Sequence, residues 1–359
     1  MTKKKKITAE FCFSKLLLKW HVQCNARQMP WKGEKDPYKI WLSEIILQQT
    51  RVEQGLRYYN SFISTFPDVH KLAKAPEEKV LKLWEGLGYY SRCRNLLVSA
   101  RFISKELKGT FPANYETIKA LKGVGPYTAA AIASFAYNLP YAVVDGNVFR
   151  VLSRIFGISI PVDTTHGKKY FASLAGELID KKKPGLYNQA IMDFGAVVCK
   201  PVSPLCEKCF FKQYCVAFGQ GKTNNLPVKS KSVVIRKRWF YYIVFKMGDQ
   251  FAIRQRAEKD VWQGLYEFPM IETVNEITPA EIIQQTVMKG WLRRGRKKLP
   301  YKISKFTQQL SHQFITGYFL EIDVKKKQKN DWKWITKAAK NELAFPAMLN
   351  RYFDTYDSL

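Results

Sequence analysis

The spacing of apolar residues changes near position 220, and this change divides the chain into two kinds of structure. From Ile7 to about Phe218, apolar residues recur at three- and four-residue spacings between proline and glycine turn signals, which is typical of helices. After the polar segment 219–232, the runs 238–245, 250–256 and 314–324 are rich in aromatic and branched residues, which is typical of strands. A chain of 359 residues has room for about two domains. We therefore predict a helical domain, a linker and a smaller α+β domain.

The chain is strongly basic. Lysine and arginine number 59 against 30 aspartates and glutamates, a formal net charge of +29. Such an excess favours a polyanionic partner, with nucleic acid ahead of a membrane surface or an unspecific basic protein. No stretch reaches the roughly 18 apolar residues of a membrane helix, and the segment after the start MTKKKK lacks a signal-peptide cleavage site. We expect an intracellular, nucleic-acid-associated protein that begins with a short basic tail and an amphipathic helix.

Four of the seven cysteines cluster at Cys199, Cys206, Cys209 and Cys215, and the other three are scattered. This is not the framework of a secreted disulfide protein, and it fits a reducing compartment with one metal site. Four thiolates can ligate zinc or an iron–sulfur cluster. Structural zinc sites of four cysteines are common, so the chemistry alone favours zinc. The spacing nevertheless differs from zinc sites that are built from two C-x₂-C pairs.

A glycine-containing turn precedes an alanine-rich helix at 129–136. Gly123 and Gly125 allow the backbone to turn tightly and to approach a phosphate, with amides facing it at a helix N-terminus. A plain turn between two helices is the alternative reading, because G-x-G alone is a weak signal.

Glu44 is a candidate acid. Asp36-Pro37 predicts the start of a helix, and Glu44 lies three residues after Trp41 and three before Leu47, on the apolar side of that helix. Burial there would raise the pKa of the carboxyl and keep it protonated. The alternative is a carboxylate on a solvated helix face.

Asp145 is a second candidate carboxylate, in the tripeptide Asp-Gly-Asn. A loop aspartate in such a sequence commonly forms a turn or a cap. Two carboxylates in different environments can also divide the work at a glycosidic bond. One then protonates the leaving group and the other stabilises the positive charge on the sugar.

Together these segments resemble the MutY-like adenine glycosylases of the endonuclease III, or helix-hairpin-helix, superfamily. The resemblance rests on Leu121–Thr128 for the hairpin, on WLSEIILQQT at 41–50 and on VDGNV at 144–148. The cysteine spacing matches the loop that carries a [4Fe–4S] cluster in this superfamily, which reverses the preference for zinc. Lysines beside the cysteines would let that loop present positive charge to phosphates.

The resemblance implies a mainly α protein with a two-lobed helix-hairpin-helix glycosylase domain at 1–218. A six-helix module at about 30–139 would form one lobe, and 7–29 with 140–218 would form the lobe with the iron–sulfur loop. After the linker at 219–232, a smaller α+β Nudix-like domain would span 233–359.

The resemblance also implies roles in catalysis. Glu44 would protonate adenine at N7, and Asp145 would stabilise the sugar cation with help from Tyr127 and Asn147. Endonuclease III-like relatives lack this glutamate, and the strand-cutting relatives carry a lysine nucleophile at position 127. A phenol cannot form a Schiff base, so Tyr127 predicts a monofunctional glycosylase that uses water.

An enzyme that acts on a base must extrude it from the stack. Gln48 and Tyr89 match family residues that enter the duplex near the mispaired purine, and Gln49 is expected in the same wedge region. Trp31 and Gln189 match positions near the adenine pocket. For Tyr89 and Trp31, ordinary core packing is the alternative.

The C-terminal third resembles the Nudix-like domain of the same family, which helps to recognise 8-oxoguanine opposite adenine. WQGLYEFP at 262–269 keeps the start of a Nudix motif, but the acidic R-E-x-x-E-E segment is absent, so we reject nucleotide hydrolysis. Ser311 and His312 match a loop that contacts 8-oxoguanine, although an exposed strand-end histidine is the alternative for His312. Many relatives have phenylalanine where this chain has Leu310.

The predicted partner is double-stranded DNA with 8-oxoguanine·adenine or guanine·adenine mispairs, bound by a monomer and without a membrane. Two alternatives remain open. One is an endonuclease III-like glycosylase with strand-cleaving activity, which Tyr127 disfavours. The other is a non-catalytic DNA-binding iron–sulfur protein, which the pair of Glu44 and Asp145 disfavours.

Overall fold

A computed structural model describes residues 3–230, 234–292, 302–327 and 331–357. Within these ranges the chain forms two compact units. The first comprises the residues up to 74 together with 95–230, and the second comprises 75–94 together with 234–357. The last two residues of the predicted linker, 231 and 232, lie outside the described residues.

The chain is helical up to residue 219. The helices are α1 (Lys3–Cys24), α2 (Pro37–Leu47), α3 (Val52–Thr65), α4 (Val69–Lys74), α5 (Glu77–Leu83), α6 (Tyr90–Glu106), α7 (Tyr115–Ala120), α8 (Pro126–Tyr137), α9 (Gly146–Phe156), α10 (Thr165–Leu178), α11 (Pro184–Val197) and α12 (Val216–Gly219). Helix α1 begins at Lys3, so the expected basic tail is part of the helix, consistent with the good helix propensity of lysine. Among the described residues, no helix combines the length and the apolar character needed to cross a membrane.

Helix α2 begins where the sequence predicts. Asp36 is its N-cap, and the carboxylate accepts a 2.9 Å hydrogen bond from the backbone N–H of Tyr38. Pro37 occupies the first helical position, where its missing N–H costs nothing. The helix is buried from Ile40 to Ile46, so Glu44 enters the interior with its apolar neighbours.

The core of the helical unit gathers residues from both ends of its sequence. Phe13, Leu17 and Trp20 of α1 pack with buried residues of α9, α10 and α11 and with Phe211. The rings of Trp20 and Phe194 meet edge to face, with centroids 4.9 Å apart. Burial of these large aromatic side chains attaches the N-terminal helix to the segment that carries the four cysteines.

The polar segment after residue 219 packs along the helical unit. It contains a 3₁₀ turn at Thr223–Asn225, and Leu226 is buried. The Leu226 carbonyl accepts a 3.1 Å hydrogen bond from Arg154 Nε, and the Val228 carbonyl accepts a 3.0 Å bond from the N–H of Val162. These bonds hold the segment in place up to residue 230.

The second unit is built on a mixed sheet. Its strands are β1 (Arg236–Met247), β2 (Gln250–Gln255), β3 (Tyr266–Glu267), β4 (Met270–Thr273), β5 (Lys302–Gln309), β6 (Gln313–Asp323) and β7 (Lys333–Thr336). The order is β3-β2-β1-β6-β5, with β4 paired to β1 and β7 paired to β2. The long β1–β6 pair is parallel, from Arg236 opposite Gln313 to Lys246 opposite Asp323, and the other pairs are antiparallel.

Helices cover both faces of this sheet. They are α13 (Pro279–Met288) and α14 (Ala347–Asp357). Ile282 of α13 packs in the core of Tyr241, Ile243 and Phe245. On the other face, Tyr352 of α14 stacks on Phe319, with centroids 4.3 Å apart. Because both faces are covered, β1 is a nearly continuous apolar run rather than an alternating one.

Residues 75–94, which we predicted within the 30–139 module, group with the sheet in the structure. Glu85 accepts a 2.8 Å hydrogen bond from the N–H of Phe345 and a 3.0 Å bond from Asn350 Nδ2. Lys82 donates a 2.9 Å bond to the carbonyl of Leu343. These polar contacts attach α5 and the turn that follows it to residues 343–350.

Candidate active site

A cleft with a volume of about 1090 Å³ lies within the helical unit. It brings together most of the predicted catalytic and base-contacting residues of that unit. They are Trp31, Glu44, Gln48, Gln49, Gly125, Tyr127, Asp145, Asn147 and Gln189. These residues come from several helices and loops, so tertiary packing assembles the site.

Glu44 reaches this cleft from α2 while remaining 8% exposed. The pKa of the carboxyl is raised to about 7, mainly by burial and to a smaller extent by the nearby charge of Asp145. A hydrogen bond from Tyr127 opposes the rise, because it stabilises the carboxylate. Near neutral pH the group therefore exchanges its proton readily, which suits a general acid.

Asp145 caps α9 and also lines the cleft. One carboxylate oxygen accepts a 2.8 Å hydrogen bond from the N–H of Val148, and the other accepts a 2.8 Å bond from Asn147 Nδ2. Burial raises the pKa of Asp145, while these hydrogen bonds and the charge of Arg150 lower it. Asp145 is thus a helix cap, as the sequence suggested, and it also faces the cleft.

Tyr127, at the start of α8, interacts electrostatically with both carboxylates. Its hydroxyl donates a 3.4 Å hydrogen bond to the sulfur of Met192 and also interacts with the Glu44 carboxyl, which lowers the pKa of Glu44. Burial raises the pKa of the phenol, as do the charges of Glu44 and Asp145. Tyr127 is therefore a neutral hydrogen-bond donor in this site.

Arg150 connects the site to the cysteine segment. Its Nη2 donates a 2.8 Å hydrogen bond to Asn147 Oδ1 and a 2.7 Å bond to the carbonyl of Gly195. Its Nε donates a 2.7 Å bond to the carbonyl of Cys199. This buried guanidinium therefore fixes Asn147, which in turn bonds to Asp145.

The predicted wedge and pocket residues of this unit differ in their surroundings. Gln48 ends α2, and its Nε2 donates a 3.3 Å hydrogen bond to Thr128 Oγ1. Gln49 is exposed and adopts a left-handed φ of 57°. Trp31 packs edge to face on Tyr59, with centroids 5.3 Å apart, while part of its surface lines the cleft. Trp31 therefore packs in the core and also borders the cleft.

The two glycines of the predicted hairpin have different constraints. Gly123 has a φ of +81°, and an added Cβ would lie 2.7 Å from the Cβ of Asn95. Gly125 is the N-cap of α8 with a φ of −92°, and no atom lies within 4 Å of an added Cβ. Gly123 thus shapes the turn, and Gly125 leaves open space on the cleft wall.

The four clustered cysteines line one small cavity beside Arg154 and Phe218. Arg154 Nη1 lies 3.6 Å from the sulfur of Cys199, and the N–H of Phe211 donates a 3.3 Å hydrogen bond to the sulfur of Cys209. Burial raises the pKa of Cys209 to about 12, and the neighbouring cysteine sulfurs contribute to this rise. Among the described residues, no three His, Cys, Asp or Glu side chains stand close enough to hold a metal ion. The donor set is all sulfur with N–H groups beside it, which fits a thiolate-ligated cluster.

The predicted residues of the lesion loop lie in the second unit. The hydroxyl groups of Tyr89 and Ser311 hydrogen-bond to each other. Tyr89 has a left-handed φ of 48°, and the guanidinium of Arg92 lies 5.4 Å from the centre of its ring. The side chain of His312 is exposed, and its carbonyl accepts a 3.0 Å bond from the N–H of Arg236. Tyr89 and the loop are therefore neighbours, although they are 222 positions apart in sequence.

Two regions of the chain match known families. Residues 42–172 match the family described as HhH-GPD superfamily base excision DNA repair protein. Residues 240–355 match the family described as NUDIX domain. The first region lies in the helical part of the chain and the second in the part that carries the sheet.

Similarity over most of the chain decides the family. The adenine DNA glycosylase of Buchnera aphidicola subsp. Schizaphis graminum is 33% identical over 305 residues, which cover 84% of this chain and 85% of that protein. The chain belongs to the adenine DNA glycosylase family. Among solved structures, a thermostable thymine-DNA glycosylase is 30% identical with a TM-score of 0.56, over 60% of this chain and 99% of its own. An endonuclease III–DNA complex is 19% identical with a TM-score of 0.51, over 62% and 99%, which shows a shared fold.

Membership of the adenine DNA glycosylase family confirms the predicted fold class, a helix-hairpin-helix domain followed by a Nudix-like domain with a mixed sheet. It also confirms the prediction of an enzyme of base excision DNA repair. The roles of the individual residues and the base opposite adenine remain predictions.

One buried carboxylate next to the cleft residues was not predicted from the sequence. Asp193 of α11 is 0% exposed, and it lies beside the cleft residues Arg27, Lys32 and Gln189. The available signal was the single charged residue of a helix, four residues after Gln189. That spacing places both side chains on one helix face.

Proposed function

We propose that this protein is a monofunctional DNA glycosylase that hydrolyses the N-glycosidic bond of adenine mispaired with 8-oxoguanine or guanine. The observation that carries the proposal is the position of Glu44, buried in a large cleft beside Asp145 and Tyr127, with a pKa of about 7. Membership of the adenine DNA glycosylase family supports adenine as the excised base.

In the proposed reaction, Glu44 gives its proton to N7 of adenine, so that the base leaves as a neutral molecule. The C1′–N9 bond breaks and the sugar becomes cationic, and Asp145 stabilises this positive charge. Water then attacks C1′ and gives up its proton to the Glu44 carboxylate, which restores the acid. Tyr127 and Asn147 assist by holding the two carboxylates, as their hydrogen bonds support.

Water rather than a protein amine is the proposed nucleophile, because Tyr127 stands where strand-cutting relatives carry lysine. A phenol hydrogen-bonded to a carboxyl does not form an imine with the sugar. Trapping with borohydride should therefore give no covalent protein–DNA adduct. An adduct would favour the glycosylase–lyase alternative.

The substrate is double-stranded DNA with the adenine flipped into the cleft. Gln48, Gln49 and Tyr89 would fill the gap in the duplex, and Trp31 and Gln189 would border the adenine. The hairpin of Gly123 and Gly125 would approach a phosphate with its backbone N–H groups. The open space beside Gly125 supports this role.

Recognition of 8-oxoguanine is assigned to Ser311 and His312 in the C-terminal domain. The hydrogen bond between Ser311 and Tyr89 supports a shared role for these two residues. We also propose that the glycosylase domain spans 1–218 and that the Nudix-like domain spans 233–359. The protein would act as a monomer.

A [4Fe–4S] cluster is the proposed cofactor, held by Cys199, Cys206, Cys209 and Cys215. When bound, it would cross-link the segment between the first and last of these cysteines and so stabilise a loop near DNA. Iron and acid-labile sulfide in the purified protein, about four of each per chain, would support the cluster. One zinc ion and no sulfide would contradict it.

An adenine-release assay under single-turnover conditions tests the function directly. We expect release from duplexes with 8-oxoguanine or guanine opposite adenine and none from adenine·thymine pairs. Glu44→Gln should nearly abolish release while DNA binding remains. Glu177→Gln makes the same chemical change on the exposed face of α10 and should leave the rate unchanged. An E44Q variant as fast as the wild type would remove Glu44 as the acid.

A further inference from the structure

Asp193 is a fully buried carboxylate behind the cleft wall, in contact with the lining residues Arg27, Lys32 and Gln189. Its Oδ1 accepts a 2.8 Å hydrogen bond from Arg27 Nη1 and a 3.0 Å bond from Gln189 Nε2. Its Oδ2 accepts a 2.8 Å bond from Asn25 Nδ2 and lies 3.7 Å from the ammonium of Lys32. Both oxygens are therefore satisfied, and two cationic side chains balance the buried charge.

This arrangement determines which way the amide of Gln189 faces. An amide has a donor end and an acceptor end, and a carboxylate paired with arginine offers only acceptors. Gln189 must therefore turn its NH₂ group to Asp193, as observed. A reversed amide would place its carbonyl oxygen against Asp193 Oδ1, and two acceptors would then face each other. With one N–H bound to Asp193, the carbonyl oxygen of Gln189 faces away from that carboxylate and is left as a hydrogen-bond acceptor for a ligand in the cleft.

We propose that Asp193 is a positioning residue that makes Gln189 a hydrogen-bond acceptor and thereby selects purines with an amino group at position 6. Adenine carries an N6 amino donor, whereas guanine carries an O6 acceptor at the same position. N7 is an acceptor in both bases, so the proton of Glu44 cannot distinguish them. Asp193 thus acts on specificity through Gln189 and does not touch the base. The inference rests on the proposed excision of adenine.

The preference is measurable as a ratio of two rates in the same enzyme preparation. One duplex carries adenine opposite 8-oxoguanine, and the second carries unsubstituted purine, which lacks the 6-amino group, at that position. Single-turnover excision of each gives an adenine-to-purine ratio. Differences in active fraction or stability among the variants cancel in this ratio, so a merely structural role of Asp193 would not change it.

Gln189→Met keeps the length of the side chain and removes its polarity. We expect the adenine-to-purine ratio to fall by about fivefold, the value of one hydrogen bond of about 1 kcal/mol. Asp193→Leu should lower the ratio to the same level, because Gln189 is then free to reverse. The double variant should fall no further than Gln189→Met, since the two residues act through one contact.

Asp193→Asn is the conservative control. Its amide oxygen can still accept from both Arg27 and Gln189, so most of the adenine preference should remain. If Asp193→Leu does not fold, Gln189→Met decides alone, and an unchanged ratio in that variant overturns the inference. If Asp193→Leu folds and keeps the wild-type ratio, the inference is also wrong. Failure of the wild type to release any adenine would instead contradict the proposed function.

Discussion

At the residue scale, two buried carboxyl groups differ in the hydrogen bonds that they accept. Glu44 is enclosed by α2 and its apolar neighbours, and burial raises its pKa to about 7. Burial also raises the pKa of Asp145, but hydrogen bonds from Val148 and Asn147 oppose that rise because they favour the charged form. One group is thus suited to donate a proton and the other to bear a negative charge.

The pH dependence of excision should follow the proton of Glu44. The acid form is the active form, so the single-turnover rate should fall as pH rises through about 7. Tyr127 lowers the pKa of Glu44 by its hydrogen bond, so Tyr127→Phe should move this alkaline limb to higher pH. Tyr137→Phe removes a hydroxyl from the same helix, outside the residues that line the cleft, and should leave the limb in place. A shift of the Tyr127→Phe limb to lower pH would contradict the assignment.

Asp145→Asn should separate catalysis from folding. Asparagine is as good an N-cap as aspartate, so the free energy of unfolding should change by less than about 1 kcal/mol. Loss of the negative charge beside the sugar should slow adenine release by about a hundredfold or more. Denaturant unfolding and single-turnover assays measure the two quantities. A variant that excises adenine within threefold of the wild-type rate would show that the charge is dispensable.

At the element scale, the hairpin between α7 and α8 shows why two neighbouring glycines need not serve the same purpose. Gly123 has a left-handed φ and a side chain packed against it. Gly125 has an ordinary φ at the start of a helix, where its surroundings are open. Steric constraints therefore require glycine at position 123, whereas at position 125 glycine keeps the backbone accessible to a ligand.

Alanine substitutions should distinguish these two positions. Gly123→Ala is expected to lower the free energy of unfolding by about 1–3 kcal/mol, because of the left-handed φ and the clash with Asn95. Gly125→Ala should change it by less than about 0.5 kcal/mol. Gly125→Ala should nevertheless weaken binding to duplex DNA by about tenfold, if an amide–phosphate hydrogen bond is obstructed. Equal stabilities of the two variants would contradict the steric argument.

At the scale of the whole molecule, the net charge of +29 is the dominant property. Charge of this size attracts any duplex through its phosphates, whereas selectivity depends on a few groups in the cleft. Affinity and specificity should therefore respond to different perturbations.

The affinity for duplex DNA should depend steeply on salt. With about six phosphate contacts, we expect the Kd to rise on the order of a thousandfold between 50 and 200 mM salt. Glu44→Gln should show the same salt slope, since Glu44 faces the cleft and touches no phosphate in the proposed complex. Fluorescence anisotropy over a salt series measures both slopes. A change of less than tenfold would contradict an electrostatic mode of binding.

Local sequence determined much of the fold. Helix α2 runs from Pro37 to Leu47 because Asp36 caps it and Pro37 starts it, and the aromatic run at 238–245 lies within β1. Caps, turns and apolar periods act over a few residues, so the printed sequence contains them in full. Motif resemblance likewise pointed to Glu44, Asp145, Tyr127 and the four cysteines.

Only the tertiary structure decided the contacts that join distant segments. Packing attaches residues 75–94 to the sheet, sets Tyr127 against Glu44 and pairs Asp193 with Arg27, 166 positions away. No local rule specifies such partners, because they result from the way apolar faces of separate helices bury one another. The four clustered cysteines and the pair of carboxylates were therefore visible in the sequence. The environment that makes Glu44 an acid, and the carboxylate that orients Gln189, exist only in the folded chain.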